Sequence, residues 1–270
     1  MTARDDALLI ALDVDGTILA EDGSLAEAVR RAVTGVLERG HLVMIATGRS
    51  AQSTVPVARA LGIDPEYLVC SNGAVTLRRD DAGEDGYRRE FVETFDPTEV
   101  LTTIRGALAG AEYAVEDARG FFRYTERFPQ SAVGEGSEQV PFEQLLDVDT
   151  TRIVVISPNH GTEDFLGVVE RMGLQRVSYA VGWTSWLDIA PDGVNKATAM
   201  ERVRDLLGVP RSRVIAVGDG RNDIEMLEWA AAEGRGVAMG QAPPEVLAVA
   251  GERTGPVEAD GLARLLDSLH

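Results

Sequence analysis

The chain has 270 residues, 44% hydrophobic and 26% charged, which is enough apolar content for a real core in one large or two modest domains. Asp and Glu number 44 against 26 Lys and Arg, a formal net charge of −18 that sets phosphate backbones and anionic membrane surfaces aside as partners. A site for an anionic substrate would have to bring its own positive charge.

A single cysteine, Cys70, leaves no internal disulfide framework and no Cys-rich zinc site. Residues 1–6 are polar and carry two aspartates, so no targeting leader is expected. No apolar run approaches the ~18 residues of a membrane span. The expectation is a soluble, cytoplasmic protein. Of the 26 basic residues all but Lys196 are arginine.

Residues 8–12 are a short apolar run, read as a buried strand. Ser24 to Glu27 has the spacing of a capping box, opening a helix with Leu25, Val29, Ala32, Val33 and Val36 on one face and Gly40 as its stop. Residues 42–46 are a second apolar strand. Residues 50–61 read as a helix interrupted or shifted by Pro56. Residues 67–70 are a third strand. Strands alternating with helices imply parallel pairing.

The pattern then changes. Residues 80–86 have the composition of a linker. Strands are expected at 88–95, 112–115 and 121–124, with a helix at 96–108. Residues 128–149 read mostly as loop. A strand at 151–157, a helix at 162–172 and strands at 174–180 and 186–189 follow. Beyond Pro191 the first style resumes, with helices at 196–207 and 224–232, strands at 214–217 and 236–239, and two short closing helices. The fold class is therefore α/β: a doubly wound, Rossmann-like parallel sheet built from residues 1–82 and 189–270, with an α+β domain inserted at 83–188.

The chemistry-bearing residues gather at strand ends, where open α/β sheets bind ligands. Asp13 and Asp15 follow the first strand, and Gly16 permits a sharp turn beside them. Thr47, Gly48 and Arg49 follow the second strand and open a helix, an arrangement suited to anions. Asp219, Asn222 and Asp223 follow the strand at 214–217. Each of these alone also reads as an ordinary capped turn or loop. Together they place four carboxylates near one another, which favours a cation among them, and oxygen donors without His or Cys favour Mg²⁺. Lys196 opens a predicted helix. A lone lysine in an arginine-rich chain marks a place for a compact ammonium rather than a guanidinium fork.

As a set these motifs resemble the haloacid dehalogenase superfamily of phosphohydrolases, with Asp13-Val14-Asp15-Gly16-Thr17, Ala46-Thr47-Gly48-Arg49, Lys196 and Gly218-Asp219-Gly220-Arg221-Asn222-Asp223 as its four motifs in order. Ser71-Asn72-Gly73-Ala74 and Gly236-Val237-Ala238-Met239-Gly240 are similar to further signatures of subclass IIB, in which a cap domain is inserted between the second and third motifs. Gln241 stands where the family often has Asn. The resemblance implies a phosphatase of small phosphorylated metabolites, often sugar phosphates. By the same resemblance Asp13 is the nucleophile and Asp15 the acid and base. Thr47, Lys196 and Gly48 would bind the phosphoryl oxygens, with Arg49, Asn72, Gly73 and Asn222 as further substrate contacts. Mg²⁺ would be held by Asp13, the Asp15 carbonyl, Asp219 and Asp223. Candidate substrate readers in the cap are Arg119, Phe121, Arg123, Tyr124, Arg127, Trp183 and Ser185.

The runner-up within the superfamily is a phosphotransferase or phosphomutase of the phosphomannomutase kind. A signalling receiver module also uses aspartates, a Thr and a Lys around Mg²⁺, but is roughly half this length and lacks the insertion. A non-catalytic binding protein would have little reason to retain the whole constellation. A monomer or small homo-oligomer is expected. Cys70 reads as a core residue, and His41, His160 and His270 as surface residues.

Overall fold

The structure is a computed structural model, and it describes residues 6–126, 128, 129, 133, 137–159, 162–172, 177–181 and 186–269. The chain divides into two compact units, Met1–Glu90 with Asn195–His270, and Phe91–Val194. Both divisions fall a few residues later in the chain than the sequence suggested. The strand before the first pairs into the sheet that precedes it, and the strand before the second runs on to Pro191.

In chain order the first unit begins with β1 (Leu9–Leu12), α1 (Glu27–Glu38), β2 (Leu42–Ile45), α2 (Ala51–Leu61), β3 (Tyr67–Cys70), β4 (Val75–Arg79) and β5 (Tyr87–Val92). The inserted unit contains α3 (Thr98–Ala107), β6 (Glu112–Asp117), β7 (Phe122–Tyr124), β8 (Glu138–Gln139), β9 (Thr150–Ile156), α4 (Thr162–Met172), β10 (Val177–Val181) and β11 (Trp186–Pro191). The first unit resumes with α5 (Lys196–Leu206), β12 (Val214–Gly218), α6 (Ile224–Ala231), β13 (Arg235–Ala238), α7 (Pro244–Val249), β14 (Glu252–Arg253) and α8 (Gly261–Asp267).

The main sheet has the order β14-β13-β12-β1-β2, all parallel. A parallel bridge from Ala46 to Val69 sets β3 beside β2. The chain therefore starts in the middle at β1, winds outward through β2 and β3, and returns on the other side of β1 at β12. That reversal is a topological switch point, and its crevice opens at the carboxyl ends of β1 and β12. β1 is buried on both faces, which is why it reads as an unbroken apolar run rather than an alternation. Ile10 and Leu12 pack with α1, α2 and α8, and Leu9 and Ala11 pack with α5, α6 and α7. Full burial of a side chain of this size is worth about 1.5–3 kcal/mol, so β1 is pinned by both layers.

The sheet of the inserted unit has the order β10-β11-β9-β6-β7-β8. Its pairs are antiparallel except β7 with β8. Tyr113, Val115, Ile153, Val155, Leu187 and Ile189 face α3 and α4 in one core. Ala114, Phe122, Tyr124, Phe128 and Val154 form a second, smaller cluster.

Local expectations are corrected in four places. Ser24 does not cap α1: the N-cap is Ala26 with no side-chain bond, and Glu27 instead pairs with Arg30. α2 runs through Pro56 without a break and stops at Gly62 in the left-handed region. No strand is expected at residues 75–79, yet β4 pairs with β3 and makes residues 80–86 the turn of a hairpin rather than a linker. His41 is buried, its Nδ1 accepting the Leu8 N–H at 3.3 Å. Cys70 is buried as expected. His160 and His270 lie outside the described residues.

Candidate active site

β1 and β12 deliver the acids. Asp13 follows β1 and its N–H bonds to the Val217 carbonyl at 3.0 Å, so the end of β1 is locked to β12. Asp219 follows β12, and Asp223 lies a turn further on. Asp223 folds back over the strand end: its Oδ2 accepts from the N–H groups of Asp219 and Gly220, at 3.0 and 2.9 Å. A Cβ on Gly218 would stand 2.4 Å from that carboxyl, so glycine is what lets Asp223 reach there. Asp13, Asp219 and Asp223 are 4%, 3% and 0% exposed, and one oxygen from each lies within 4.8 Å of the others.

Lys196 reaches this cluster from the first residue of α5. The helix start is fixed by a reciprocal cap, with Asn195 accepting from Thr198 N and Thr198 Oγ1 accepting from Asn195 N. A cation in the first turn of a helix works against the helix dipole, and Lys196 is also fully buried. Two contacts offset both costs: Nζ donates to Asp13 Oδ1 and to Asp223 Oδ1, each at 2.6 Å. Burial favours loss of the lysine proton, yet Asp13 and Asp223 outweigh it and hold the ammonium charged. Burial raises the Asp13 pKa well above the usual carboxylate range, and Asp223 adds repulsion that Lys196 only partly relieves. Burial, and then repulsion from Asp223, push Asp219 up to about 7.

Three buried carboxylates therefore share one ammonium. Asp219 Oδ1 is buried with no hydrogen-bond partner among the described residues. A buried carboxylate oxygen without a partner is costly unless a cation completes it. The donor set is hard oxygen throughout, which fits Mg²⁺.

The expected Asp15 sits apart from these three. Its side chain is 62% exposed and takes two hydrogen bonds from Arg49, at 2.9 and 2.5 Å. The neighbouring Thr47 is buried, and its Oγ1 accepts the Arg49 N–H at 3.1 Å. The loops after β2 and β3 are joined by Ser71 N to the Arg49 carbonyl at 2.8 Å and Asn72 N to the Thr47 carbonyl at 3.0 Å. Ser71 and Asn72 both take positive φ, 48° and 52°, at this junction. That turn aims Asn72 at Gly48, whose Cβ position would lie 3.1 Å from Asn72 Oδ1. Asn222 Nδ2 donates to the same Oδ1 at 3.0 Å, so Asn222 braces Asn72. Gly73 has a packing reason: a Cβ there would stand 2.3 Å from the Asn195 carbonyl at the start of α5.

Of the readers expected in the inserted unit, Tyr124 is buried beside Phe128 and Arg119 pairs with Asp117 in its own turn. Phe121 and Arg123 are half-buried, and Arg127, Trp183 and Ser185 lie outside the described residues. Gln241, noted in the sequence only as standing where the family often has Asn, reaches with its amide both the Asp13–Gly16 loop and Asp219.

A doubly wound sheet with aspartates on both sides of its switch point and a buried lysine between them defines a class, and comparison agrees. A family model described as haloacid dehalogenase-like hydrolase matches residues 10–266, and the chain belongs to that family. The 5-amino-6-(5-phospho-D-ribitylamino)uracil phosphatase YitU of Bacillus subtilis strain 168 is 28% identical over 269 residues, 96% of each chain. A phosphoglycolate phosphatase of Natronomonas pharaonis is 30% identical over 262 residues, again 96% of each. Among solved structures, the subclass IIB sugar phosphatase BT4131 matches with a TM-score of 0.77 over 97% of this chain and 98% of its own; at 18% identity that is a likeness of fold.

Proposed function

We propose that the chain is a Mg²⁺-dependent phosphatase that releases phosphate from small phosphorylated metabolites through a phosphorylated Asp13. The observation that carries the reading is the shared Lys196, bound to Asp13 and Asp223 beside an Asp219 oxygen that lacks a partner. The relatives, which carry phosphatase names, support the reaction class.

Asp13 attacks phosphorus, the bond from phosphorus to the leaving oxygen breaks, and the phosphoryl group passes to the Asp13 carboxylate. Asp15 gives its proton to the leaving oxygen, then takes one from the water that attacks the phosphorylated Asp13 and frees inorganic phosphate. Arg49 holds Asp15 in the structure, so Asp15 exchanges that contact for each proton transfer. Lys196 and Thr47, with the Gly48 N–H, bind the phosphoryl oxygens. Asn72 and Asn222 form an amide pair that borders them. Asp13, Asp219 and Asp223, with the Asp15 carbonyl, would hold the ion. Mg²⁺ supplies neutralising charge to the transferring phosphoryl group. That charge, with the lysine, is what lets a protein of net −18 accept an anion. Among the described residues no helix is long and apolar enough to cross a membrane, which accords with a cytoplasmic enzyme.

The test is a panel of sugar phosphates and other phosphorylated metabolites, assayed for released phosphate with Mg²⁺ and with EDTA. Release that needs Mg²⁺ and stops with the chelator supports the reading. Transfer of the phosphoryl group to an added sugar without release would assign a phosphotransferase, and turnover indifferent to chelation would remove the ion.

A further inference from the structure

Gln241 lies against the acid cluster, and the mechanism gives it no task. Both its amide hydrogens and its amide oxygen are bonded. Nε2 donates to the Gly16 carbonyl at 2.5 Å and to Asp219 Oδ2 at 3.2 Å, and Oε1 accepts the Val257 N–H at 3.1 Å. A carboxamide nitrogen has two hydrogens, and here one goes to the segment that carries Asp13 and the other to the segment that carries Asp219.

The backbone at this position is held on both sides. Gly240 N bonds the Gly255 carbonyl at 3.0 Å, the Gly240 carbonyl accepts from Arg253 at 2.6 Å, and Ala242 N bonds Met239. A Cβ on Gly240 would stand 2.5 Å from Pro256 N, so the segments already touch. Asp219 Oδ2 is also confined by Gly16, whose Cβ position lies 2.1 Å from it. One oxygen of the Asp219 carboxylate is thus gripped, and the other, Oδ1, is the buried one without a partner.

We propose that Gln241 is a positioning residue for the divalent ion: by holding Asp219 Oδ2 and the Gly16 carbonyl in one amide, it fixes the rotation of the Asp219 carboxylate and presents Oδ1 as the ligand. This rests on the Mg²⁺ reading above. Asn at 241 is about 1.5 Å shorter and cannot span all three partners from the same backbone. Glu has the reach but no hydrogens to give, and it would set a second negative charge against Asp219.

The experiment is Mg²⁺ binding by isothermal titration calorimetry on the full chain and on the variants Q241A, Q241N, Q241E and R253A, with the Tm of each metal-free protein alongside. Loss of a group that orients a metal ligand typically weakens affinity about 10–100-fold. That loss is expected for Q241A and Q241N, and at least as large for Q241E. R253A loosens the same loop through Gly240 without touching Asp219, so it is expected to lower Tm and leave the Mg²⁺ Kd at the wild-type value. Wild-type affinity in Q241A and Q241E would overturn the assignment, as would Kd losses that merely follow the Tm losses in R253A. A wild-type chain that binds no Mg²⁺ would instead overturn the phosphatase reading, and this inference with it. If Q241A does not fold, Q241N and Q241E decide.

Discussion

Gly16 and Asp219, from opposite ends of the chain, stand so close that a methyl group on Gly16 would lie 2.1 Å from Asp219 Oδ2. Gly16 also takes φ +78°, a conformation that costs an L-residue about 1–2 kcal/mol. Gly16→Ala therefore carries two penalties of different kinds. Backbone strain lowers stability by about that amount, and displacement of Asp219 spoils the acid cluster. The expected outcome is a modest fall in Tm together with loss of the Mg²⁺-induced thermal shift. A variant that keeps the full Mg²⁺ response would show that Asp219 tolerates being moved.

Lys196 is the only positive charge bonded within the buried cluster among the described residues. Lys196→Met leaves three buried carboxylates with no counter-ion, and removing one partner of a buried pair costs about 3–5 kcal/mol. Denaturant unfolding should show that loss at neutral pH and a smaller one near pH 5, where the acids can protonate. Lys196→Arg keeps the charge but not the compact ammonium shared by two carboxylates at 2.6 Å. Turnover is expected to fall at least tenfold, and equal kcat/KM in the two proteins would refute the argument from the lone lysine.

The raised carboxyl groups give the metal-free protein a pH dependence of definite sign. Asp219 moves from an ordinary value of 3.8 to about 7, and Asp13 also moves upward. Between pH 4 and 7 the folded chain therefore retains protons that the unfolded chain has released. Stability falls as pH rises through that window. A bound divalent cation favours the ionised forms and opposes the fall. The Mg²⁺-induced rise in Tm should accordingly be small at pH 5.5 and larger at pH 8. Differential scanning fluorimetry across that range checks it, and a thermal shift that shrinks with rising pH would contradict the geometry.

Asp13→Asn removes the proposed nucleophile with almost no change of shape. Hydrolysis of p-nitrophenyl phosphate should drop to background while the circular dichroism spectrum is retained. Activity near wild type would refute the role given to Asp13.

Much of this arrangement was legible before the structure. β1, β2 and β12 are almost wholly buried, so they stand out as apolar runs, and each is followed within two residues by a polar residue of the candidate site. Less legible were features whose cause is not local. The Ser24 box has the right spacing, but a serine caps only if the chain enters the helix at the right angle, and here Ala26 takes the position. β4 ends in two arginines, which look like solvent-exposed chain until β3 and β5 are laid beside them. His41 stands between Gly40 and the apolar run of β2, and what buries it is not local: its contact with Leu8 spans 33 residues. Gln241 depends on Gly16, 225 residues away, and no pattern within one segment encodes such a meeting.

The pairing of β1 with β12 has a consequence for biosynthesis. β1 is made well before β12 (Val214–Gly218), the strand it pairs with in parallel. Until then one side of β1 has unpaired amides, and Asp13 lacks Asp219 and Asp223 beside it. A chain that stops short of β12 thus presents an open edge on which chaperones, or another chain, can act.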